Sequence, residues 1–554
     1  MRLVPLSLAV VLALPALALA APPLPGGGIS GDSLARDIGT LASDAFEGRA
    51  PGTAGEDRTV DYLVRRFREA GLEPAGEDGG WTQTVELVRS EIEGTPALSI
   101  AVEGERQALT QGEEIAVETL RPGARVHLED VPLVFVGYGV HAPELGWDDY
   151  AGQDLHGKVA VVLVNDPDFE TPEPGLFGGR AITYYGRWSY KYEEAARRGA
   201  AGVLIVHETA PAAYPWATVR AGRLGPQYDI VRDDAEAAHV PVRGWIQRDL
   251  AESLFARAGL DLEAQKRAAQ RKGFVPVPLA EATFSADFGV ERSRITSRNV
   301  LGLLPGDARP EETVVVSAHW DALGKDEGGG DGDPVHHGAV DNATGTASLI
   351  ELARVFAAGE RPDRSLLFLA TTAEESGLLG AMYYAANPLR PLATTAADIN
   401  MEMWSPDGPT HDISTWGMGH VSLERDVAAA AAVDGRRWSP DPKPEAGFFY
   451  RADHFAFAKA GVPAITVGPG MDQLEGGTAE GEADRAAYFA TAYHQAADTY
   501  DADWDMRGPV TDLTTVYRLV EDIANDAGWP QWDAGSEFEA ERAGSAAARA
   551  AAGD

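Results

Sequence analysis

Two short apolar runs flank an amphipathic stretch in the middle of the chain. Thr313 to Ser317 and Ser365 to Ala370 are rich in Val, Leu or Phe and are bounded by turn residues, which predicts two buried strands. Between them, Asn342 to Phe356 carries Ala, Leu, Ile and Phe at helical spacing, which predicts a helix. The order strand, helix, strand indicates that this unit is part of a parallel α/β sheet.

Side chains that can bind metal follow these elements. His319 and Asp321 come after the first strand, Asp341 begins the helix, and Glu374 and Glu375 come after the second strand. Open α/β sheets bind ligands in the crevice at the carboxyl ends of their strands. Imidazole nitrogen and carboxylate oxygen are the atoms that Zn²⁺ accepts when no thiolate is available. The pattern therefore predicts a metal site at this edge of the sheet.

The spacing of these residues also predicts separate roles. Adjacent side chains are not expected to point the same way, so one of Glu374 and Glu375 can bind metal while the other acts as general base on a metal-bound water. Asp341 is placed where a carboxylate can bridge two metals. Asp321 can accept the second imidazole N–H of the histidine two residues earlier and fix its ring. His494, in YHQAAD, is a further candidate nitrogen ligand.

Other hydrolase classes have little support in the sequence. The chain has neither an HExxH helix motif nor a GxSxG elbow, the patterns of one large metalloprotease class and of the serine hydrolases. Adjacent glutamates do not suit a glycosidase, because its two carboxyl groups must face each other across a sugar.

A change of pattern near Val131 indicates an inserted domain. Apolar strands are predicted at Leu133 to Val136, Val159 to Val164 and Val203 to Val206, with a helix that stops at Gly199. After Pro278 the strand signals that lead to the central unit return. The segment is therefore interpreted as a separate small domain within the first one.

Length and charge limit the class of protein. The chain has 554 residues, of which 44% are hydrophobic, enough for one large α/β domain and a smaller one. It has 47 Lys and Arg against 85 Asp and Glu, a formal net charge of −38. Such a chain repels phosphate backbones and anionic lipid, so nucleic acid and membrane surfaces are not expected partners.

The first twenty residues predict export. Met1 to Ala20 has a basic residue at Arg2, an apolar stretch and a small-x-small end, as secretory signals have. The run is broken by Pro5, Ser7 and Pro15, so it does not suit a membrane anchor. A secreted or periplasmic protein without stable membrane insertion is expected. The chain has no cysteine, which excludes disulfides and thiolate ligands.

Six motifs follow one another along the chain: AHWDALG, GAVDNATG, AEESGLLG, NMEMWSPD, YRADHFAFAKAGVPA and YHQAADT. In this order they resemble the co-catalytic di-zinc metallopeptidases of peptidase family 28, which include secreted aminopeptidases and the glutamate carboxypeptidase group. The earlier EGRAPGTAGEDRTVDYL is similar to the N-terminal signature of the family. Residues 131 to 206 resemble the protease-associated domain that many members carry as an insertion. The resemblance covers most of residues 31 to 530.

The resemblance implies two zinc ions as cofactors and a ligand for each role. Asp341 would bridge the zincs, Glu375 and His494 would complete one site, and His319 and Glu402 the other. The family usually has Asp at the last of these positions; Glu402 is still an oxygen ligand, so a metal site with shifted geometry is expected.

Further roles follow from the same resemblance. Glu374 would be the general base, and Asp321 would orient His319. Tyr450, Asp453 and His454 would contact substrate, with the Tyr450 hydroxyl as a hydrogen-bond donor to the developing oxyanion. A tyrosine that faces the core is the alternative for Tyr450.

The expected fold class is α/β, with a three-layer α/β/α zinc-peptidase domain around a mixed, mainly parallel central sheet and a smaller β-rich inserted protease-associated domain. The expected segments are a signal peptide (1–20), the first part of the peptidase domain (21–115), the insertion (116–280), the main part of the peptidase domain (281–530) and a flexible tail (531–554).

The expected function is that of a secreted zinc exopeptidase acting on peptides, most simply an aminopeptidase that uses a hydroxide held between two zincs. Carboxypeptidase or dipeptidase activity, a glutaminyl cyclase and a receptor-like protein without catalysis are the alternatives. The insertion is either a lid over the substrate cleft or a stabilising accessory. The oligomeric state does not follow from the sequence.

Overall fold

The computed structural model describes residues 22–171, 175–325, 334–417 and 420–552. The predicted signal peptide, residues 1–20, lies outside the described residues. No helix within those four ranges is long and apolar enough to cross a membrane.

The strands are β1 (Glu73–Pro74), β2 (Thr82–Val102), β3 (Glu105–Leu109), β4 (Ile115–Glu118), β5 (Arg125–Phe135), β6 (His141–Ala142), β7 (Trp147–Asp148), β8 (Val159–Leu163), β9 (Gly202–His207), β10 (Gln227–Ile230), β11 (Val242–Gln247), β12 (Val277–Leu304), β13 (Arg309–His319), β14 (Gly324–Lys325), β15 (Val335–His336), β16 (Arg364–Thr371), β17 (Thr395–Met401), β18 (Asp412–Thr415), β19 (Arg437–Ser439) and β20 (Ala464–Pro469).

The α-helices are α1 (Gly31–Leu41), α2 (Ala54–Ala70), α3 (Trp188–Arg197), α4 (Thr209–Ala212), α5 (Trp216–Leu224), α6 (Ala235–Ala238), α7 (Arg248–Arg257), α8 (Leu262–Ala269), α9 (Thr344–Ala357), α10 (Leu379–Ala386), α11 (Leu423–Val433), α12 (His454–Lys459), α13 (Gly477–Thr491), α14 (Arg507–Asn525), α15 (Glu539–Gly544) and α16 (Ala546–Ala552).

The predicted central unit is confirmed as β13, α9 and β16. β13 lies between β16 and β17 and is parallel to both, and β20 adds a fourth parallel strand beside β17. Every residue of β16 and of β17 is buried, as expected for strands that are covered on both faces. The predicted α/β fold with a mixed, mainly parallel sheet is therefore confirmed.

A second block of parallel strands continues the same sheet. β5, β8, β9 and β11 are parallel neighbours, and β4 closes this edge as an antiparallel strand. β12 joins the two blocks, because one part of it pairs with β5 and its last residues, from Val300 to Leu304, pair with β16. The inserted region thus shares a strand with the peptidase half.

The two blocks have separate hydrophobic cores. One is built around α1, α2, α9, α14 and the strands β13, β16 and β17. A second core extends from Leu98 to Val290 and covers the other block, so it begins before and ends after the predicted insertion, residues 116–280. Six helices, α3 to α8, lie within this region.

The N-terminal signature forms α2 as its pattern predicts. The Thr53 hydroxyl accepts the N–H of Gly55 at the start, and Gly71 ends the helix with φ of 91°, a conformation that favours glycine. Leu63 and Phe67 are buried on the inner face. The packing of α2 fixes the end of the loop that precedes it. This loop reaches the edge of the sheet where the candidate metal ligands lie.

The prediction of a flexible tail from residue 531 is wrong. The segment forms α15 and α16, and Trp532, Phe538 and Arg542 are buried. The Arg542 guanidinium donates to the carbonyls of Thr395 and Ala396 at 3.0 and 3.4 Å. The Ala-rich composition did not reveal that these few large side chains have partners in the folded domain.

Candidate metal centre

Two groups of potential metal ligands meet at Asp341. One consists of His319, Asp341 and Glu402, and the other of Asp341, Glu375 and His494. Nε2 of His319 lies 3.3 Å from Oδ1 of Asp341, and Nε2 of His494 lies 3.3 Å from Oδ2. Two donor atoms bound about 2.05 Å from one tetrahedral zinc are themselves about 3.3 Å apart. The donor types and their spacing therefore fit zinc.

The carboxylate of Asp498 fixes the position of Asp341. Asp341 lies in the segment Ala339–Ala343, directly before α9, and its backbone there is not helical, with φ of −110° and ψ of 93°. Asp498 accepts the main-chain N–H of Val340 at 2.9 Å and that of Asp341 at 3.0 Å. The Tyr488 hydroxyl donates to the same carboxylate at 3.2 Å. The sequence analysis missed Asp498, although it stands in the motif that supplies His494.

The His319 ring is oriented by Asp321, but not in the predicted way. Nδ1 of His319 lies 3.2 Å from the main-chain carbonyl of Asp321 and 3.6 Å from its carboxylate. Since a carbonyl only accepts, Nδ1 carries the proton and Nε2 presents a lone pair. Among the described residues, Nε2 of His319 and Oδ1 of Asp341 are buried without a hydrogen-bond partner. Two buried acceptor atoms without a hydrogen-bond donor are suited to bind a metal ion.

The Asp321 carboxylate instead binds the backbone of the two glutamates. Its oxygens accept the main-chain N–H of Glu374 at 3.1 Å and of Glu375 at 3.3 Å. Glu375 lies 3.0 Å from Nε2 of His494, whereas Glu374 lies 3.9 Å from Nε2 of His319 and belongs to neither ligand group. The two side chains thus face different parts of the centre.

Glu402 follows β17 directly and reaches the centre from the neighbouring strand. Its Oε1 lies 4.0 Å from Nε2 of His319. Behind it, the Asn400 amide lies 3.4 Å from Oε2 and donates to the Thr466 hydroxyl at 2.9 Å. Thr466 in turn lies 2.7 Å from Nδ1 of His454. A buried polar chain therefore supports this ligand.

The centre carries more negative charge than its imidazoles neutralise. Burial raises the pKa of Glu374 and of Glu402 well above the usual range, and neighbouring carboxylates add to the shift. Although burial lowers it, the pKa of His494 is raised to about 10 by Glu375 and Asp341. Burial raises the pKa of Asp341, but the nearby imidazoles of His319 and His494 outweigh this and leave it lowered. A divalent cation is the partner that compensates such charge.

Arg49, from the N-terminal signature, was also missed. It is fully buried and donates to the carbonyls of Trp320 at 2.8 Å, His337 at 2.6 Å and Gly338 at 2.8 Å. These carbonyls lie in the loops that carry Asp321 and Asp341. Burial lowers the pKa of Arg49 to about 10, against the raising effect of Asp321 and other carboxylates. Arg49 is therefore a positioning residue for both loops.

The structure contradicts the three predicted substrate contacts. The Tyr450 hydroxyl is buried and donates to Glu537 at 2.8 Å, so this tyrosine takes the core-facing alternative. Asp453 and His454 have no exposed surface. Asp453 accepts a hydrogen bond from Thr371. Both lie behind the strands, because the motif that contains them starts α12 within the core.

An apolar wall borders the centre on the side of His494. Val340 and Met403, each next to a candidate ligand, cluster with Phe448 and Trp416. Tyr493 packs against this cluster, and its ring stacks on that of His494 with centroids 3.8 Å apart. The wall restricts how a bound molecule can approach the metal site from this side.

A cavity of about 1810 Å³ opens beside the centre, between the two halves of the chain. Asp321 and Glu375 line it together with Tyr185 and Trp188 of the inserted region. The Lys459 ammonium donates to Glu193 across the boundary at 3.0 Å. The inserted region therefore forms part of the wall of the cleft at the metal centre.

Comparisons with known proteins agree with the motifs. Residues 299–517 match Peptidase family M28. A probable zinc metalloprotease of Pyricularia oryzae is 40% identical over 87 residues, 16% of this chain and 17% of that protein. Aminopeptidase NAALADL1 of Mus musculus is 35% identical over 114 residues, 20% of this chain and 14% of that protein. The segment that matches thus covers less than a fifth of the length of each of these two relatives.

Among solved structures, an aminopeptidase from Aneurinibacillus sp. strain AM-1 has 20% sequence identity and a TM-score of 0.49. The alignment covers 90% of this chain and 95% of that one.

Proposed function

We propose that this chain, whose residues 299–517 belong to peptidase family M28, is a zinc aminopeptidase that uses two zinc ions and Glu374 as its general base. The observation that carries the proposal is the sharing of Asp341 between two groups of ligand atoms. One carboxylate with an imidazole close to each of its oxygens is the arrangement that a pair of metals needs.

The residues present fit a pair of zinc ions. His319 and Glu402 would hold one ion, Glu375 and His494 the other, and Asp341 both. When bound, the zinc pair would supply Lewis acidity, which polarises a peptide carbonyl and lowers the pKa of a water molecule.

Glu374 is suited to move the proton. Its carboxylate faces the centre 3.9 Å from Nε2 of His319 without being a member of either ligand group. A carboxylate in this position can take a proton from the attacking water and return it to the leaving amine. The Asp321 carboxylate fixes the backbone of this residue by accepting its main-chain N–H.

Two observations support peptides as substrates and an exopeptidase mode. The relative from Mus musculus is named an aminopeptidase. The cleft is bounded on one side by the inserted region, which we interpret as a protease-associated domain that acts as a lid and limits access to short or unfolded peptides. Export is proposed on the sequence of residues 1–20 alone.

The test is hydrolysis of a panel of aminoacyl 4-nitroanilides, with and without an acetylated amino group, by zinc-loaded protein. We expect cleavage of the free-amino substrates only, loss of activity with a chelator, and about 10²- to 10⁴-fold lower kcat in Glu374→Gln with two zincs still bound. Glu360→Gln, at an exposed position after α9, is the matched control and should keep the wild-type rate.

Equal cleavage of acetylated substrates, or full activity of Glu374→Gln, would contradict the proposal. If zinc binds and none of the panel is cleaved, aminopeptidase activity is wrong. Carboxypeptidase, dipeptidase and glutaminyl cyclase substrates are then the next to test.

A further inference from the structure

One tyrosine of the inserted region enters a socket on the peptidase half. Tyr184 stands in a short turn directly before α3, and its ring stacks on that of Tyr450 with centroids 6.3 Å apart. The Phe455 ring meets it edge-on at 5.2 Å. The Lys459 ammonium lies 5.2 Å from the centroid of the same ring, a distance at which a cation and an aromatic face attract each other. The motif that begins at Tyr450 thus contacts the inserted region.

The C-terminal segment closes this socket. Oε1 of Glu537 accepts the main-chain N–H of Tyr184 at 3.3 Å and the hydroxyl of Tyr450 at 2.8 Å, so one oxygen joins both halves of the chain. The Glu537 side chain is only 9% exposed, which strengthens the two bonds because little water competes for them. Phe538 packs beside it, with ring centroids 6.4 Å from Tyr184 and 6.1 Å from Phe455.

The Tyr184 hydroxyl also has a partner. It donates to Glu193 on α3, and the two oxygens of that carboxylate accept from the Lys459 ammonium at 3.0 and 3.1 Å. The tyrosine is therefore held by its main-chain N–H, by its ring and by its hydroxyl. Directional bonds at several points give the turn that carries Tyr184 one defined position relative to the peptidase half.

This contact forms part of the wall of the cavity beside the metal centre. The cavity of about 1810 Å³ is lined by Asp321 and Glu375 and also by five residues of the contact, namely Tyr184, Glu193, Lys459, Glu537 and Phe538. Tyr185 and Trp188, which follow in the same turn and at the start of α3, line it as well. A molecule that extends from the metal centre into the cavity thus meets a wall whose position depends on the C-terminal segment.

We propose that Glu537 and Tyr184 are positioning residues, which fix the inserted region as the cavity wall that long peptide substrates contact. The inference rests on the proposed function, since it assumes that peptides are the substrates. A wall that is already in place loses no freedom when a peptide binds, whereas a loose wall must be ordered, and this weakens binding. Neither residue belongs to a candidate ligand group, so the chemical step should not depend on them.

The experiment compares kcat and KM of zinc-loaded full-length protein for alanyl 4-nitroanilide and for alanine peptides from dialanine to hexaalanine. Glu537→Leu removes the acceptor at similar size, so we expect unchanged constants on the nitroanilide and a KM for the longest peptides raised about three- to tenfold. Glu537→Gln keeps an oxygen that can accept both bonds and should retain the wild-type KM.

Tyr450→Phe is a second, milder variant, because it removes only one of the two donors to Glu537. It should raise the KM of the same long peptides by a smaller factor, and it decides the question if Glu537→Leu does not fold. Amide hydrogen exchange at the turn of Tyr184 should be faster in Glu537→Leu than in the wild type and in Glu537→Gln. Zinc stoichiometry checks that each variant keeps the metal centre.

Glu539→Leu is the matched control, because Glu539 is exposed at the start of the next helix, α15, and it should leave every KM unchanged. An equal rise in KM for the nitroanilide and for all peptides overturns the proposal, as does an unchanged KM for hexaalanine in Glu537→Leu and Tyr450→Phe. If the wild type cleaves the nitroanilide and only the shortest peptides, the proposed function stands and this inference is wrong. If the wild type cleaves neither class, the proposed function fails and the inference with it.

Discussion

The carboxylate of Asp498 accepts the main-chain N–H of Asp341 at 3.0 Å. The bond fixes the backbone of the one residue that both candidate ligand groups share. Asp498 is itself buried, and its charge is held by two main-chain donors and the Tyr488 hydroxyl.

Asp498→Asn should therefore weaken metal binding without changing any ligand. An amide in this place can turn only its oxygen to one of the two N–H groups, and its NH₂ group faces the other, so the backbone of Asp341 shifts. Partners of this kind typically contribute 10- to 100-fold to metal affinity, so a loss of about that size is expected. Zinc titration in competition with a chelating dye measures it. Asp503→Asn, at an exposed position, is the control, and equal affinity of the two variants would contradict the assignment.

Glu402→Asp should weaken one zinc site and spare the other. Oε1 of Glu402 already lies 4.0 Å from Nε2 of His319, and removal of one methylene draws the carboxylate back toward the end of β17. We expect one zinc to bind at wild-type affinity and the second at least about tenfold more weakly, as seen by calorimetry with zinc. Glu360→Asp should bind both as wild type. Two unchanged zinc affinities in Glu402→Asp would contradict this prediction.

His454 should make folding stability depend on pH. Burial lowers its pKa to about 3, and the Thr466 hydroxyl lies 2.7 Å from its Nδ1. The unfolded chain, with an imidazole pKa near 6.5, binds a proton that the folded state does not, so this contribution is full above about pH 6.5 and is lost as pH falls toward 3. The stability advantage of the wild type over His454→Asn should shrink by about 2 kcal/mol between pH 6.5 and 5.

Urea unfolding at several pH values measures this difference for the metal-free proteins. His156→Asn serves as the control, since His156 is 78% exposed. A pH-independent difference between wild type and His454→Asn would mean that the imidazole is not kept neutral by burial.

Phe538→Ala should destabilise the protein although it lies in the C-terminal tail. Phe538 is 3% exposed, and its ring packs on Trp532 with centroids 4.9 Å apart. Truncation of a buried Phe costs about 3–5 kcal/mol. Glu541→Ala, on the exposed side of α15, should change the free energy of unfolding by less than about 0.5 kcal/mol. Equal stability of the two variants would contradict the packing of Phe538 and favour a flexible C-terminal tail.

The sequence alone determined the type and order of the central elements. Short apolar runs and helical spacing are local properties, and they gave β13, α9 and β16 close to their observed bounds. Because the carboxyl ends of parallel strands meet at one edge, the same reasoning predicted that His319, Asp341 and Glu375 would come together. In the structure, His319 and Glu375 each lie in a group of potential ligands that contains Asp341.

Only the tertiary structure decided which side chains support these residues from behind and which are exposed to a substrate. Asp453 and His454 stand in a strong motif, yet the turn before α12 directs both into the core. Asp498, Arg49 and the tail residue Phe538 act through partners far along the chain. Sequence periodicity reports which face of an element is apolar, whereas contacts between distant segments depend on how the elements pack, and no local pattern encodes them.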